Sequence, residues 1–567
     1  MELHPARRAA EIAGTYRLVN RTAVPIDSIH VAVARDVETR TITFDRAATR
    51  VLADAMLGHH IYALATPLQP GDSVQLRFAV RHAPRGFAND GVDASVVRNG
   101  SYIAPYEWLP RIGYQSSRAL TNAADRRVHG LAPHPYYRAL ADTAARHDAE
   151  ARIAFDAIIG TDAGQTAVAP GRLRRAWTEG SRRYFDYATD APIRNEFALY
   201  SAAYAVREAQ WTPTSAGGRP VTIQVVHHPG HARNVDRMIA SVRASLDYYG
   251  ARFGPYPYGT IRLVEHAGDA MSLHASPIDI SYQEGFDLLD PAHDPRGVDF
   301  PFAIVAHEVA HQWWGNQVTP ARVEGGGVLT ESLAWYAAMG VVEHTYGPEH
   351  LRRLVDVLRE TYLTPHARAA KPLLQADDWL LLYRKGPFAM YTLREYLGEA
   401  RVNGALRRLV DTYGAGTAPL PTSLDLYREL QAITPDSLRG LLADVFETNT
   451  YWNLATTRAD ARQDASGRWR VTLDVKARKE IVDSAGAARE VPMNDLVEVG
   501  VFAAAKGGGL GEPMYLRLHR VRTGTQRITV TVPTMPARAG IDPRGLLIDA
   551  KGEDNTKEVT VNGARTQ

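Results

Sequence analysis

The segment Pro301-Phe-Ala-Ile-Val-Ala-His307-Glu308-Val-Ala-His311-Gln-Trp-Trp-Gly315-Asn316 runs from an apolar stretch into His-Glu-x-x-His. On a helix, residues four apart lie on one face. His307 and His311 are therefore predicted to present two imidazole nitrogens to one zinc ion. Glu308 falls beside that face and is placed to take a proton from an attacking water. Gly315 is a natural terminator for such a helix. A catalytic zinc needs a third protein ligand and one open position. Val328-Leu-Thr-Glu331-Ser-Leu-Ala-Trp-Tyr336 reads as a second helix, entered through the Gly325–Gly327 turn, with Glu331 20 positions after His311. Glu324 competes for the third place, but a helix holds a ligand more rigidly than a loop beside three glycines. Glu331 is the expected ligand.

The rest of the composition narrows the chemistry. The chain has 567 residues, 45% apolar and 23% charged, the balance of an ordinary globular protein of three or so domains. Lys+Arg 65 against Asp+Glu 63 gives a net +2, which offers no electrostatic signature for nucleic acid. With no cysteine, a disulfide framework, a thiolate nucleophile and any cysteine-based metal site are excluded. A metal must rest on His, Asp or Glu. No run of 18 uncharged apolar residues occurs, and the start, MELHPARRAAEIAG, is not a secretory signal. The expectation is a cytoplasmic protein or a piece of a longer one.

Along the chain the hydrophobic period changes twice. Tyr16–Val19 and Ile29–Val33 alternate at period two, and turn signals such as Pro70-Gly71 separate these runs. A helical insertion is expected around Tyr136–Ala151, and Phe197–Val206 reads as a strand closing this first part. Val235, Met238, Ile239, Val242, Leu246 and Tyr249 then mark one face of an amphipathic helix, stopped by Gly250 and Gly254-Pro255. Helical patterns continue to about residue 450. Thr434-Pro-Asp is read as a helix start, with Thr434 as N-cap. From Trp452 the alternation returns in Val471/Leu473/Val475, Val497/Val499/Val501 and Ile528/Val530/Val532, the pattern of a β-sandwich. The fold class is multidomain α+β. The divisions are a β-sheet domain over 1–207, a mainly helical catalytic domain over 208–450, and a C-terminal β-sandwich over 451–567.

With these motifs together, the sequence resembles the gluzincin zinc aminopeptidases of the aminopeptidase N and leukotriene hydrolase kind. His307–Asn316 followed by a Glu-bearing helix carries the resemblance. So do Leu246–Tyr258, which is similar to the family's helix ending in Phe-Gly-x-Pro-Tyr-Pro, and Tyr383-Arg-Lys-Gly386, similar to its Tyr-x-Lys-Gly motif. The likeness is strong over about 197–395 and weaker outside. It implies a saddle-like N-terminal sheet domain, a thermolysin-like catalytic domain, one zinc ion on His307, His311 and Glu331, Glu308 as general base, and Tyr383 as donor to the oxyanion. A peptide is the implied substrate. The wording of His311-Gln-Trp-Trp-Gly315 and Leu329-Thr-Glu-Ser-Leu-Ala334 is similar to bacterial peptidase domains fused to ABC-type permeases, which implies a membrane permease as a covalent neighbour in a longer parent.

The sequence departs from that family in three ways. One extra residue separates His311 from Glu331, which the Gly325–Gly327 loop can absorb. The family's Gly-x-Met-Glu-Asn segment, whose Glu binds the substrate's amino terminus, aligns on Asp269-Ala270-Met271-Ser272-Leu273, so Ser272 stands at the Glu position. A serine does not pair with an ammonium as a carboxylate does. Asp269, Ala270, Met271, Ser272 and His274 remain the expected substrate-binding stretch, with removal of the amino-terminal residue less well supported than peptide hydrolysis itself. No long helical stretch follows the β-sandwich, so a more open cleft is expected. His227-His-Pro-Gly-His231 is read as a solvated turn rather than a metal cluster, and Trp313 and Trp314 as core.

Overall fold

The computed structural model describes all residues except 85–92, 105–107, 114, 116–118, 135–136, 214–218, 269–272, 295, 363–369, 506–508, 550 and 562–567. Asp269, Ala270, Met271 and Ser272 therefore lie outside the described residues, as does much of the loop around Gly507.

Two compact units make up the chain: residues 1–136, 150–250 and 255–312 form the first, and 137–149, 251–254 and 313–567 the second. In the first, a seven-stranded sheet runs in the order Arg172–Glu179, Arg182–Ala188, Asp156–Asp162, Glu2–His4, Ala9–Val19, Ser73–His82, Glu38–Phe44. A four-stranded sheet (Ala48–Asp54, His59–Leu68, Ile26–Ala32, Arg111–Ile112) accompanies it. Leu3, Val31, Leu76, Val80, Ile159 and Phe185 are in the core of this unit, and Ser73–His82 alternates buried and more exposed positions as period two demands.

The predicted closing strand Phe197–Val206 is two strands. Leu199–Ala202 joins a three-stranded sheet, and Ala205–Trp211 edges a five-stranded one, with a break at Ala203-Tyr204. That five-stranded sheet was not legible in the periodicity. Its central members Val221–His227, Thr260–His266 and Asp279–Gln283 run parallel, and Leu273–Ala275 pairs antiparallel with Asp279–Gln283 at the edge. Residues 261–265 are all buried, and they include the charged Arg262 and Glu265 beside Ile261, Leu263 and Val264, so the strand shows no apolar-in, polar-out alternation. The helix Val235–Phe253 connects the first two parallel strands, as a parallel crossover requires. Its predicted face, Val235 through Tyr249, is buried, and it ends at Gly254 (φ 114°), a conformation that favours glycine.

The second unit opens with helices. Glu331–Tyr346, Pro348–Tyr362, Gly386–Leu397, Glu399–Tyr413, Ser423–Ile433 and Arg439–Phe446 pack in sequence. Among the described residues, the expected insertion around Tyr136–Ala151 is only a short 3-10 turn, Thr143–His147, started by the Asp142 side chain. Thr434 proves to end a helix rather than begin one. It is the C-cap of Ser423–Ile433, its hydroxyl donates back to the Leu430 carbonyl, and Pro435 precedes a 3-10 turn. Two sheets complete the unit. One is built on Thr450–Gln463, Trp469–Val482 and Gly524–Val532; the other on Asn494–Phe502, Pro513–Arg522 and Arg538–Ile541. Val471, Leu473, Val475, Val497, Val499 and Val501 are all fully buried, as the alternation predicts.

Candidate metal centre

The helix Phe300–Ala310 begins where the sequence supplies a cap. Asp299 accepts from the Phe302 amide at 3.1 Å and from Arg237 at 2.9 Å, and Pro301 fits the first turn, where its missing N–H costs nothing. Two side chains of Val235–Phe253 fix its height. Ser241 donates to the Phe302 carbonyl (2.7 Å) and Tyr249 to the Ala306 carbonyl (2.8 Å). His307 and Glu308 are buried near its end, and His311 is its C-cap, still in helical conformation. The Nε2 atoms of His307 and His311 stand 3.2 Å apart.

Glu331 is the first residue of Glu331–Tyr346, a helix buried almost all round. The glycines before it allow close passage. Gly325 has φ +76°, and a Cβ there would come within 1.9 Å of the Leu374 carbonyl oxygen; one on Gly327 would meet Leu382 at 2.7 Å. One imidazole nitrogen from each of His307 and His311 and one carboxylate oxygen of Glu331 all lie within 4.8 Å of one another. Among the described residues this is the one His/Asp/Glu group gathered closely enough to hold a metal ion. Glu324, the competing candidate, is engaged elsewhere: it accepts from Lys371 (3.1 Å), Gln375 (3.3 Å) and the Leu140 amide (3.4 Å).

The donor set fits zinc. Two nitrogens bound at about 2.0–2.1 Å in a tetrahedral zinc site stand about 3.3 Å apart, close to the spacing of the two imidazoles. Two neutral imidazoles and one carboxylate leave a fourth position open, the composition of a hydrolytic site.

Gln312, to which the sequence reading gave no role of its own, ties the second His to the neighbouring strand. Its fully buried amide donates to the Ser276 carbonyl (3.0 Å) and accepts from the Ile278 amide (3.2 Å). Ile278 has φ 74°, a region costly for a β-branched residue, and is held there by these bonds. The turn leads back from Leu273–Ala275, the edge strand carrying His274. That exposed imidazole donates to Glu196 at 3.2 Å, and Glu196 also pairs with Arg194 at 2.7 Å. The Glu196 carboxylate holds His274 above its ordinary imidazole value, and Glu308 and His311 are near enough to act on its charge. Trp313 and Trp314 are fully buried, and the Trp313 indole donates to the Gly254 carbonyl at 3.0 Å. Tyr383 sits half-buried in a π-helical turn, Leu381–Lys385, its ring stacked 6.1 Å from Trp379.

The His227–His231 stretch is a turn with an exposed Pro229-Gly230 tip, as expected, but its first two histidines are not solvated. His227 and His228 are buried, and the reason lies 37 residues away in sequence. Glu265 is fully buried, accepting from the His228 amide (2.6 Å) and from the His231 ring (2.5 Å). Its carboxylate raises the His231 imidazole above its usual value. A raised folded-state pKa contributes stability that is complete below about 6.5 and lost as pH rises through the folded value. The thermal midpoint should therefore fall as pH rises above neutrality, and His231→Gln should flatten that decline. Equal slopes for the two proteins would show that the pair contributes nothing.

Residues 256–443 match the peptidase family M1 domain. Aminopeptidase Q of Acinonyx jubatus is 27% identical over 154 residues, 24% of this chain and 15% of that protein. The thyrotropin-releasing hormone-degrading ectoenzyme of Mus musculus is 26% identical over 166 residues, 27% of this chain and 15% of that protein. The chain thus spans about 15% of the length of these curated relatives. An M1 zinc metallopeptidase from Deinococcus radiodurans shares the fold, with a TM-score of 0.54 at 16% identity over 77% of this chain and 89% of that one. A mutant of that metallopeptidase, solved with a Tyr-Ser-Ala substrate, superposes at a TM-score of 0.51, with 16% identity over 77% and 90% of the two chains.

Proposed function

We propose that this chain, which carries a peptidase family M1 domain, hydrolyses peptide bonds as a zinc metallopeptidase of the aminopeptidase type. The observation that carries this reading is the convergence of His307, His311 and Glu331 on one metal-sized space. When bound there, zinc supplies a Lewis acid that makes a water acidic near neutral pH and polarises the scissile carbonyl. His307 and His311 would hold it from one helix face and Glu331 from the start of another. Glu308, next in sequence to His307, takes the proton of the attacking water on its carboxylate and passes it to the leaving amine. Tyr383 donates a hydrogen bond from its phenol to the oxygen on which negative charge develops. His274, open to solvent on the edge strand and held by Glu196, is a contact for the bound peptide. The family's carboxylate for the amino terminus is replaced by Ser272, which favours a second reading, an endopeptidase or oligopeptidase that does not require a free amino group.

Paired peptides with free and N-acetylated amino termini separate the two readings. Release of the first residue from the free peptide, with the acetylated one cut at least about tenfold more slowly in kcat/KM, is the expected result for an aminopeptidase. Equal rates would assign an endopeptidase. A fully zinc-loaded protein that cleaves neither would instead be a peptide-binding module. Among the described residues no helix is long and apolar enough to cross a membrane. The wording of His311–Gly315 and Leu329–Ala334 supports attachment of this peptidase to an ABC-type permease in a longer parent. The three-domain division at about 207 and 450 belongs to the same reading.

A further inference from the structure

In the Tyr383-Arg384-Lys385-Gly386 motif the lysine is a charged residue, yet Lys385 is fully buried. A lysine at that depth is rare unless paired with a carboxylate. Among the described residues its ammonium makes no ion pair. It donates to the Asn449 side-chain oxygen at 2.9 Å and stands 5.8 Å over the Tyr362 ring. The same Asn449 oxygen accepts from the Tyr362 hydroxyl (3.0 Å), which in turn accepts from the Tyr451 hydroxyl (3.1 Å). Burial pushes the Lys385 ammonium down to about 7, and the Asp378 charge opposes this only in part. Such a group lowers stability: a buried cation with one neutral acceptor is worse than a hydrocarbon of the same size.

The surroundings show what the lysine holds. Leu381–Lys385 is a π-helical turn, a geometry that costs hydrogen-bond quality and commonly marks functional positions. It is fixed at three points. Asp378 accepts from the Leu381 amide at 3.0 Å. Ser332, the residue after Glu331, donates to the Leu382 carbonyl at 2.8 Å. Lys385 anchors the far end to Asn449. Gly386 lets the turn lie against Ser332, since a Cβ there would come within 2.0 Å of the serine oxygen. Tyr383 is at the centre of this turn, between the Ser332 and Lys385 anchors.

We propose that Lys385, through Asn449, is a positioning residue for Tyr383. It holds the π turn in register and thereby sets where the phenol points, at a cost in stability. This rests on Tyr383 donating to the oxyanion, and the two claims fail differently. Lys385→Met keeps the length and bulk and removes the anchor. Its kcat should fall about tenfold, with KM within about twofold, zinc content unchanged and a thermal midpoint equal to or above wild type. In a Tyr383→Phe background the same change should alter kcat less than about twofold, because the group being positioned is gone. Asn449→Asp, which keeps the acceptor, should stay near wild-type kcat, while Asn449→Leu should lose about as much as Lys385→Met. Should Lys385→Met fail to fold, the two Asn449 variants test the same anchor from its other end. Wild-type kcat in Lys385→Met or Asn449→Leu, or an equal loss with and without the Tyr383 hydroxyl, would overturn the inference. A Tyr383→Phe variant as fast as wild type would overturn the oxyanion reading, and this inference with it.

Discussion

Glu308→Gln is expected to retain zinc and lose peptide hydrolysis by about 10²–10⁴-fold in kcat. Glutamine fills the same volume at the end of Phe300–Ala310, where Glu308 is only 7% exposed, so the fold and the two imidazoles should be undisturbed. The amide cannot take a proton from the attacking water or return one to the leaving nitrogen. The loss should therefore appear in kcat, with peptide binding preserved. Zinc content by atomic absorption and peptide affinity by calorimetry are the controls. Cleavage at the wild-type rate by a zinc-loaded Glu308→Gln protein would remove Glu308 from the mechanism.

Glu331→Ala should act one step earlier, on the metal. Removing one of three protein donors should weaken zinc binding by at least about 10²-fold, since even residues that only support a ligand account for about 10–100-fold. After dialysis against a weak chelator the wild type should keep one zinc per chain and the variant almost none, with activity falling in proportion. Glu324→Ala is the matched comparison. Its carboxylate is occupied by Lys371, Gln375 and the Leu140 amide, so its loss should leave zinc stoichiometry unchanged. If Glu324→Ala released the metal and Glu331→Ala kept it, the third ligand would have been assigned to the wrong helix approach.

Much of this site could be read from sequence because its chemistry is local. Spacing four on a helix places His307 and His311 together whatever the rest of the chain does. The helical pattern after Gly325–Gly327 made Glu331 the better candidate, although only the three-dimensional partners of Glu324 explain why that acid is engaged elsewhere. Trp469–Val482 and Gly524–Val532 were legible because one side of each is wet. Thr260–His266 was not, because burial on both sides erases alternation. Thr434 could cap either end of a helix, and its neighbours did not decide between them. The burial of His227-His228 and that of Lys385 could not be read from sequence for a common reason. Each is buried by a partner far along the chain, Glu265 in one case and Asn449 in the other, and no local pattern announces such a partner.

The strained turn at Ile278 has a mechanical consequence. Gln312 follows His311 directly, and its amide grips both sides of that turn, so the end of the motif helix and the edge strand Leu273–Ala275 behave as one part. A chain laid along this edge would take its register from His311 rather than from the sheet. The scale on which such a chain would be measured begins at the candidate metal ligand, and a shift of the helix end would carry the ruler with it.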